Sequence, residues 1–428
     1  MTRSRTHTYR RFLYAALGFT GLLGAALRVE ALMALAAAGF ALLFIAWGEA
    51  RRGLGGLRLA RELYPSAFED DAVPVSLVLD NRSRRTSWLV EIRDSFGPAV
   101  ADRQALLEPG PLRGARRRRL VYRTACSRPW GIYAVGPLTL AASDPFGLFH
   151  AERRVPDVAP FAVFPRVWSV AGIEKLGARP SLSPQDVTST RPGQSLAYLG
   201  VRDFRPGDDI RRIHWPATAR RGVPAVKEHE VDLAPHFTLL VDLDRSHRAG
   251  TGLKSTIEYL VRTSACLVWT AASRGDLVQV LGEGARTLEV PPGAGTLHAT
   301  QTLYELIRVQ QDGRLPLLDL VEQHRMHVPA GSTVALLSGT MFLDRERLEE
   351  MLGAFQSRGV RPVVVLVNKD SFLPIDRRAV PREEAEAQAR AVTTLLRSQA
   401  VPGAILSAEH DLETELGRSD LFEQRWSA

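Results

Sequence analysis

The chain holds only two cysteines, Cys126 and Cys266, in 428 residues, and they share no ligand spacing. That fits a reducing compartment without disulfides. Lysine is nearly as scarce: Lys175, Lys227, Lys254 and Lys369 are all there is, so the net charge of +8 is carried by arginine. A positive balance admits nucleic acid or anionic lipid as a partner. No basic patch interleaved with aromatics and no helix-turn-helix pattern is present, so no nucleic acid is expected. A nucleophile elbow is missing, since Gly193-Gln194-Ser195-Leu196-Ala197 lacks the second glycine. The loop Ala249–Thr256 opens a helix after a strand, but Leu253 and Arg248 stand where a phosphate-wrapping loop needs glycine. Asn368-Lys369-Asp370 brings its aspartate one residue early for guanine reading. No nucleotide is therefore expected. His214, His229, His236 and His247 lack zinc-type spacing partners.

What the chain does have begins with two uncharged runs, Phe12–Leu27 and Ala31–Trp47, separated by Arg28-Val29-Glu30. Each approaches the length of a membrane-spanning helix, about 17–20 residues, and flanking arginines can snorkel. A cleaved signal peptide would explain the first run, but not a second so soon after it. The expectation is a transmembrane helical hairpin within residues 1–50, with helices at about 12–27 and 31–47. Arginines flank both outer ends, which by the positive-inside rule places both in the cytoplasm. The expected location is the inner cell membrane, multi-pass.

Residues 55–165 alternate apolar and polar positions between short Gly, Pro, Asn and Asp turns, as in Val73–Asn81 and Ser87–Phe96. An all-β sandwich is expected there. In Arg116–Arg119, alternation would point two arginines to each face. Residues 166–200 are rich in Pro, Ser and Gly and read as a linker. From 236 to 420, apolar strands alternate with helical patterns, predicting an α/β domain with a doubly wound, mostly parallel sheet. Such sheets bind ligands at the carboxyl ends of strands near the topological switch point.

Two stretches carry candidate chemistry. Residues 201–235 contain VRDFRPGDDIRRIHWPATAR, charge packed around an aromatic and apolar frame. Phe204, Ile213 and Trp215 are expected to be buried. Asp208, Asp209, Arg211 and Arg220 are the candidates for partner contact. The second stretch is Asp242-Leu243-Asp244-Arg245-Ser246, alternating oxygens at the end of a buried strand. Oxygen-only ligands suit a hard cation such as magnesium. Thr296 and Ser338 are expected at the same sheet edge.

The run RDFRPGDDIRRIHWPATARRG resembles the signature of the bacterial family called domain of unknown function 58. Arg202, Phe204, Gly207, Asp208, Asp209, Arg211, Ile213, Trp215, Ala219 and Arg220 carry the resemblance. Two membrane helices, a β-sandwich closing with Asp144-Pro145-Phe146-Gly147-Leu148-Phe149, the signature and a von Willebrand factor A-like domain follow the family's order. The resemblance implies an adhesion-type metal site, in which Asp242, Ser246 and Thr296 match. Asp244 stands where a serine is usual, and Ser338 where a distal aspartate is. It also implies partners: a MoxR-type AAA+ ATPase and a transglutaminase-like membrane protein.

The expected function is that of a membrane-anchored, cytoplasm-facing interaction or adaptor protein. It would work with such an ATPase in assembly or maturation of other proteins and would touch the lipid bilayer through its amino-terminal helices. The enzymatic alternative is a metal-assisted hydrolase with Asp208, Asp209 and Asp242 as ligands and His214 as base.

Overall fold

The computed structural model describes residues 2–100, 103–107, 110–170, 198–205, 213–229, 234–378, 380–409 and 411–417. The chain divides into two units, Met1–Arg166 and Val167–Ala428.

The first unit opens with helices α1 (Thr2–Leu27) and α2 (Glu30–Gly55). Arg28 turns the chain between them in the left-handed conformation, φ 53°. They pack closely because Gly39 has no side chain: a Cβ there would lie 2.4 Å from Cδ2 of Leu17. Among the described residues only α2 is long and apolar enough to cross a membrane. This corrects the expectation of two such helices. Arg10 and Arg11 leave α1 the uncharged run 12–27 alone, about 24 Å of helix against a hydrocarbon core of about 30 Å.

The same unit continues as strands β1 (Leu57–Glu62), β2 (Ser66–Phe68), β3 (Ala72–Asn81), β4 (Trp88–Phe96) and β5 (Arg103–Leu107). Then come β6 (Arg116–Ala125), β7 (Gly131–Ser143), β8 (His150–Val155) and β9 (Ala159–Phe164). They form a three-stranded sheet, β1-β3-β6, and a larger one, β2-β9-β7-β4-β5 with β8 on β7. Alternate residues such as Val73, Val75, Leu77 and Leu79 meet Val90, Ile92, Phe96 and Phe161 in a shared core. All four of Arg116–Arg119 are exposed, not split between faces. Strand β6 is an edge of its sheet.

Two features bind this unit together. Asp94 takes a core-facing position on β4 and is closed by Arg61 at 2.9 and 3.2 Å and by the Tyr122 hydroxyl at 2.6 Å. The Asp144–Phe149 loop is folded by its own aspartate, which accepts the Phe146 and Phe149 N–H groups. That loop delivers Phe149 into a cluster with Leu43, Ala46 and Ala50 of α2. The end of α2 is also fixed by the Ser87 hydroxyl, 2.8 Å from the Gly53 carbonyl.

The second unit begins its described part with β10 (Tyr198–Asp203), α3 (Trp215–Arg221) and β11 (Ala225–His229), β10 and β11 pairing antiparallel. Strand β12 (His236–Val241) and the hairpin β13 (Gly250–Thr251) and β14 (Lys254–Ser255) lead to α4 (Thr256–Ser273). Next are β15 (Leu277–Glu283), β16 (Thr287–Gly293), α5 (Gly295–Leu306), α6 (Leu317–His324) and β17 (Thr333–Ser338). The unit ends with α7 (Arg345–Ser357), β18 (Arg361–Val367), α8 (Arg382–Ser398), β19 (Gly403–Leu406) and α9 (Leu412–Gly417).

The sheet order is β16-β15-β12-β17-β18-β19, with only β16 antiparallel. Leu240, Val334, Leu336, Val364 and Leu366 pack on one face against α6, α7 and α8. Helix α4 crosses β12, β15, β17 and β18. From β12 the chain moves first to one side and then, through β17, to the other. The switch point therefore lies between β12 and β17.

His236 starts β12, and its Nδ1 is buried with no hydrogen-bond partner among the described residues. Burial lowers its pKa from the ordinary 6.5. Below 6.5 the unfolded chain binds the proton more readily, so stability falls as pH falls from there toward the lowered folded value. Thermal melts from pH 8 to pH 5 are expected to show this loss, and His236→Phe is expected to flatten it.

Candidate functional site

Strand β12 is apolar because it is buried on both faces; its continuation, Asp242-Leu243-Asp244, is buried as well. The Asp242 N–H extends the ladder to the Leu337 carbonyl at 2.9 Å. Its carboxylate is fully enclosed. Oδ1 accepts the Asp244 N–H at 3.0 Å. Oδ2 meets His247 Nδ1 at 2.7 Å and accepts the Ser338 hydroxyl at 2.5 Å. Asp244 Oδ1 accepts the Ser246 N–H at 2.8 Å and so caps the turn Arg245–His247.

The segment after α5 closes the other side. Gly313 exchanges backbone hydrogen bonds with Leu243 and Arg245 at 2.8 and 3.0 Å. A Cβ on Gly313 would lie 2.1 Å from the Glu283 carbonyl oxygen, so only glycine fits there. Gln311 Oε1 accepts the Thr256 hydroxyl at 2.8 Å. Asp242, Asp244, Ser246 and Ser338 thus do meet at the switch point. His247, Thr256 and Gln311 join them without having been singled out. His247 had a visible signal, its place five residues beyond Asp242. Gln311 had none, because it arrives from another part of the chain.

Thr296 does not join them. Strand β16 is antiparallel, and its Gly293 pairs with Val278 at the start of β15. Helix α5 therefore begins at the amino edge of the parallel strands, where His298 Nε2 lies 2.8 Å from the Val278 carbonyl. An exposed Thr296 sits at that edge, opposite Asp242.

These residues do not fit a magnesium ion. Both oxygens of Asp242 are already held, Asp244 Oδ1 caps a turn, and Thr296 is at the wrong edge. Among the described residues no group of three or more His, Cys, Asp or Glu side chains is arranged to hold a metal. Thiol chemistry is equally unsupported. Burial pushes the Cys266 thiol up to about 12 and the Cys126 thiol up to about 11, so neither is a thiolate at neutral pH.

In the arginine-rich stretch, Gly207, Asp208, Asp209 and Arg211 lie outside the described residues. Around them the chain is held by local bonds. Arg202 pairs through its backbone with Val226. Phe204 N–H reaches the Pro224 carbonyl at 2.8 Å, and His214 N–H the Ala225 carbonyl at 2.8 Å. His214 Nδ1 accepts the Ala217 N–H at 3.1 Å, so this imidazole caps α3. Phe204 and Ile213 are half-buried, while Ala219 and Arg220 are exposed.

Trp215 overturns its expectation, being 66% exposed. It stands at the first position of a short helix that buries none of its residues. With no face of α3 turned to a core, the indole stays in solvent. A large exposed aromatic beside Val223, 52% exposed, marks a surface suited to a protein partner.

Residues 200–400 match the family model described as "Protein of unknown function DUF58". Uncharacterized proteins of Mycobacterium tuberculosis and Mycobacterium bovis are 28% identical over 123 residues, covering 28% of this chain and 37% of theirs. The match thus spans little more than a third of the length of those relatives. Among solved structures, proximal thread matrix protein 1 from the mussel byssus aligns with a TM-score of 0.30 and 12% identity, covering 44% of this chain and 47% of that one. The manganese-loaded Plasmodium vivax TRAP protein aligns with a TM-score of 0.26 and 16% identity, covering 37% and 73%. Likenesses of this size say nothing about what the chain does.

Proposed function

Because the chain belongs to the DUF58 family through residues 200–400, we propose that it is a membrane-anchored docking protein facing the cytoplasm. On this reading α2 is the anchor, with α1 beside it as a second, shorter span, and both outer ends are cytoplasmic. The α/β unit is read as von Willebrand factor A-like, with Asp242 and Ser246 at the switch point where such domains receive partners. The partner we assign is a MoxR-type AAA+ ATPase, with a transglutaminase-like membrane protein alongside, acting in assembly or maturation of other proteins.

The observation that carries the reading is the exposed Trp215, in the stretch most specific to the family. A residue kept for folding would be inside; an aromatic kept in solvent is the kind that anchors an interface. The hydrolase alternative has less behind it. Asp242 is closed by internal hydrogen bonds, and His214 caps a helix through Nδ1.

The test is co-purification. The full chain in detergent, mixed with the MoxR-type ATPase of the same genome, ATP and magnesium, is expected to retain the ATPase. Trp215→Ala is expected to lower retention by about tenfold while changing stability by less than about 0.5 kcal/mol, as surface substitutions do. A folded pair that does not associate sinks the proposal. Equal retention by the variant removes Trp215 from the contact.

A further inference from the structure

We propose that the sheet edge between β12 and β17 takes an acidic side chain of a protein partner directly on its own cations and amide, with no bridging metal. The inference deepens the docking reading and rests on it. Two independent observations carry it.

The first is Gln311. It is 3% exposed, and its Oε1 accepts the Thr256 hydroxyl. Its Nε2 is buried with no hydrogen-bond partner among the described residues. A buried N–H normally finds an acceptor, and one that has none is a position where an acceptor can be supplied from outside. The amide lies beside the switch-point knot. A Cβ on Gly339 would sit 2.7 Å from Nε2 and 3.0 Å from the His247 Cβ. The missing side chain at Gly339 leaves the amide space on that side.

The second is the charge around it. Arg245 and Arg248 lie on one tight turn, joined by the Arg248 N–H to the Arg245 carbonyl at 3.2 Å. Arg245 N–H also bonds the Gly313 carbonyl, which places Arg314 next to the same turn. Lys369 Nζ reaches the Ser246 carbonyl at 3.3 Å. Arg245, Arg248 and Arg314 are exposed, and no acidic partner for them occurs among the described residues. The nearby carboxylates are already supplied with donors. Asp242 has three, Asp244 has the Ser246 N–H, and Asp312 accepts the Ala285 N–H at 2.8 Å.

Guanidinium groups recognise a carboxylate as a fork, and each such bond is charge-assisted. A compact cluster on one turn and its neighbours fits a single acid. A nucleic acid would call for a stripe of cations along a phosphate chain. An acid seated here would receive the Gln311 N–H from below and the arginines from the rim. In an adhesion-type site a metal supplies that positive charge; here side chains supply it.

The experiment uses the full chain in detergent micelles and a fluorescein-labelled oligoglutamate peptide, read by anisotropy. Oligoglutamate is expected to bind, oligoglutamine of equal length not to bind, and EDTA to change nothing. Arg245→Glu and Arg314→Glu, both at exposed positions, are each expected to weaken binding by about tenfold or more. Gln311→Leu is expected to weaken it as well. Equal binding of the two peptides, loss of binding in EDTA, or indifference to both charge reversals overturns the proposal. So does a DNA oligonucleotide that displaces the peptide at equal charge concentration. If the peptide fails while the ATPase still co-purifies, only this proposal falls; if both fail, the docking reading falls with it.

Discussion

Asp242→Ala is expected to destabilise the second unit by about 3–5 kcal/mol. The substitution removes the acceptor of three donors at once: the Asp244 N–H, His247 Nδ1 and the Ser338 hydroxyl. Each sits where water has little access, so each loses a partner without regaining hydration. The effect should centre on the switch point, because the Asp242 N–H also continues the ladder to Leu337. Hydrogen exchange of the β12 and β17 amides is the measurement of choice, since the first unit does not enter it. Asp242→Asn keeps one acceptor oxygen and should lose less. His247→Ala added to Asp242→Ala should cost less than His247→Ala alone, because the pair is already broken. A loss below about 1 kcal/mol in Asp242→Ala would mean that this carboxylate is not what fastens the edge.

The other large effect is predicted in the sandwich. Asp94→Ala leaves the Arg61 guanidinium nearly fully buried without its carboxylate, and the Tyr122 hydroxyl without its acceptor. Breaking a buried pair from one side typically costs about 3–5 kcal/mol. Arg61 keeps one bond, Nη1 to the Val135 carbonyl at 3.1 Å, which is too little to satisfy a buried cation. Replacing both partners by Arg61→Met with Asp94→Leu should recover most of the loss, since apolar groups of similar volume need no partner. Urea denaturation of the full chain, followed by exchange of the β4 amides, separates these outcomes. Acid should not act through Asp94. Burial raises its pKa, with Tyr122 and Arg61 pulling it back, so the folded state holds the proton at least as well as the unfolded one. Stability through this carboxyl is therefore not lost as pH falls, in contrast to His236.

The architecture was legible where periodicity is strong. Strand His236–Val241 and helix Thr256–Ser273 fall within a few residues of their predicted bounds. Helix Leu317–His324 was missed, although Leu317, Leu320 and Val321 have helical spacing. Its run is short and stands right behind a proline. Thr296 misled because spacing says how far along the chain a residue lies, not which sheet edge it reaches; one antiparallel strand reversed it. Trp215 misled because large aromatics are usually inside, and nothing in the sequence shows that α3 packs on no core. Charge on α1 settles its case from sequence alone, once Arg10 and Arg11 are counted inside the apolar window.

The join between α2 and the sandwich has a mechanical consequence. From Trp47, where the uncharged run stops, to Gly55 the helix continues for about two turns, or roughly 12 Å. Its side is gripped there by Phe149, and its end by Ser87. With α2 in a bilayer, the sandwich would be a collar clamped just below the headgroups, not a bead on a string. Tilting the helix would swing the whole collar with it. Lengthening the helix by one residue would turn the collar by about 100° around the helix axis, as 3.6 residues per turn requires.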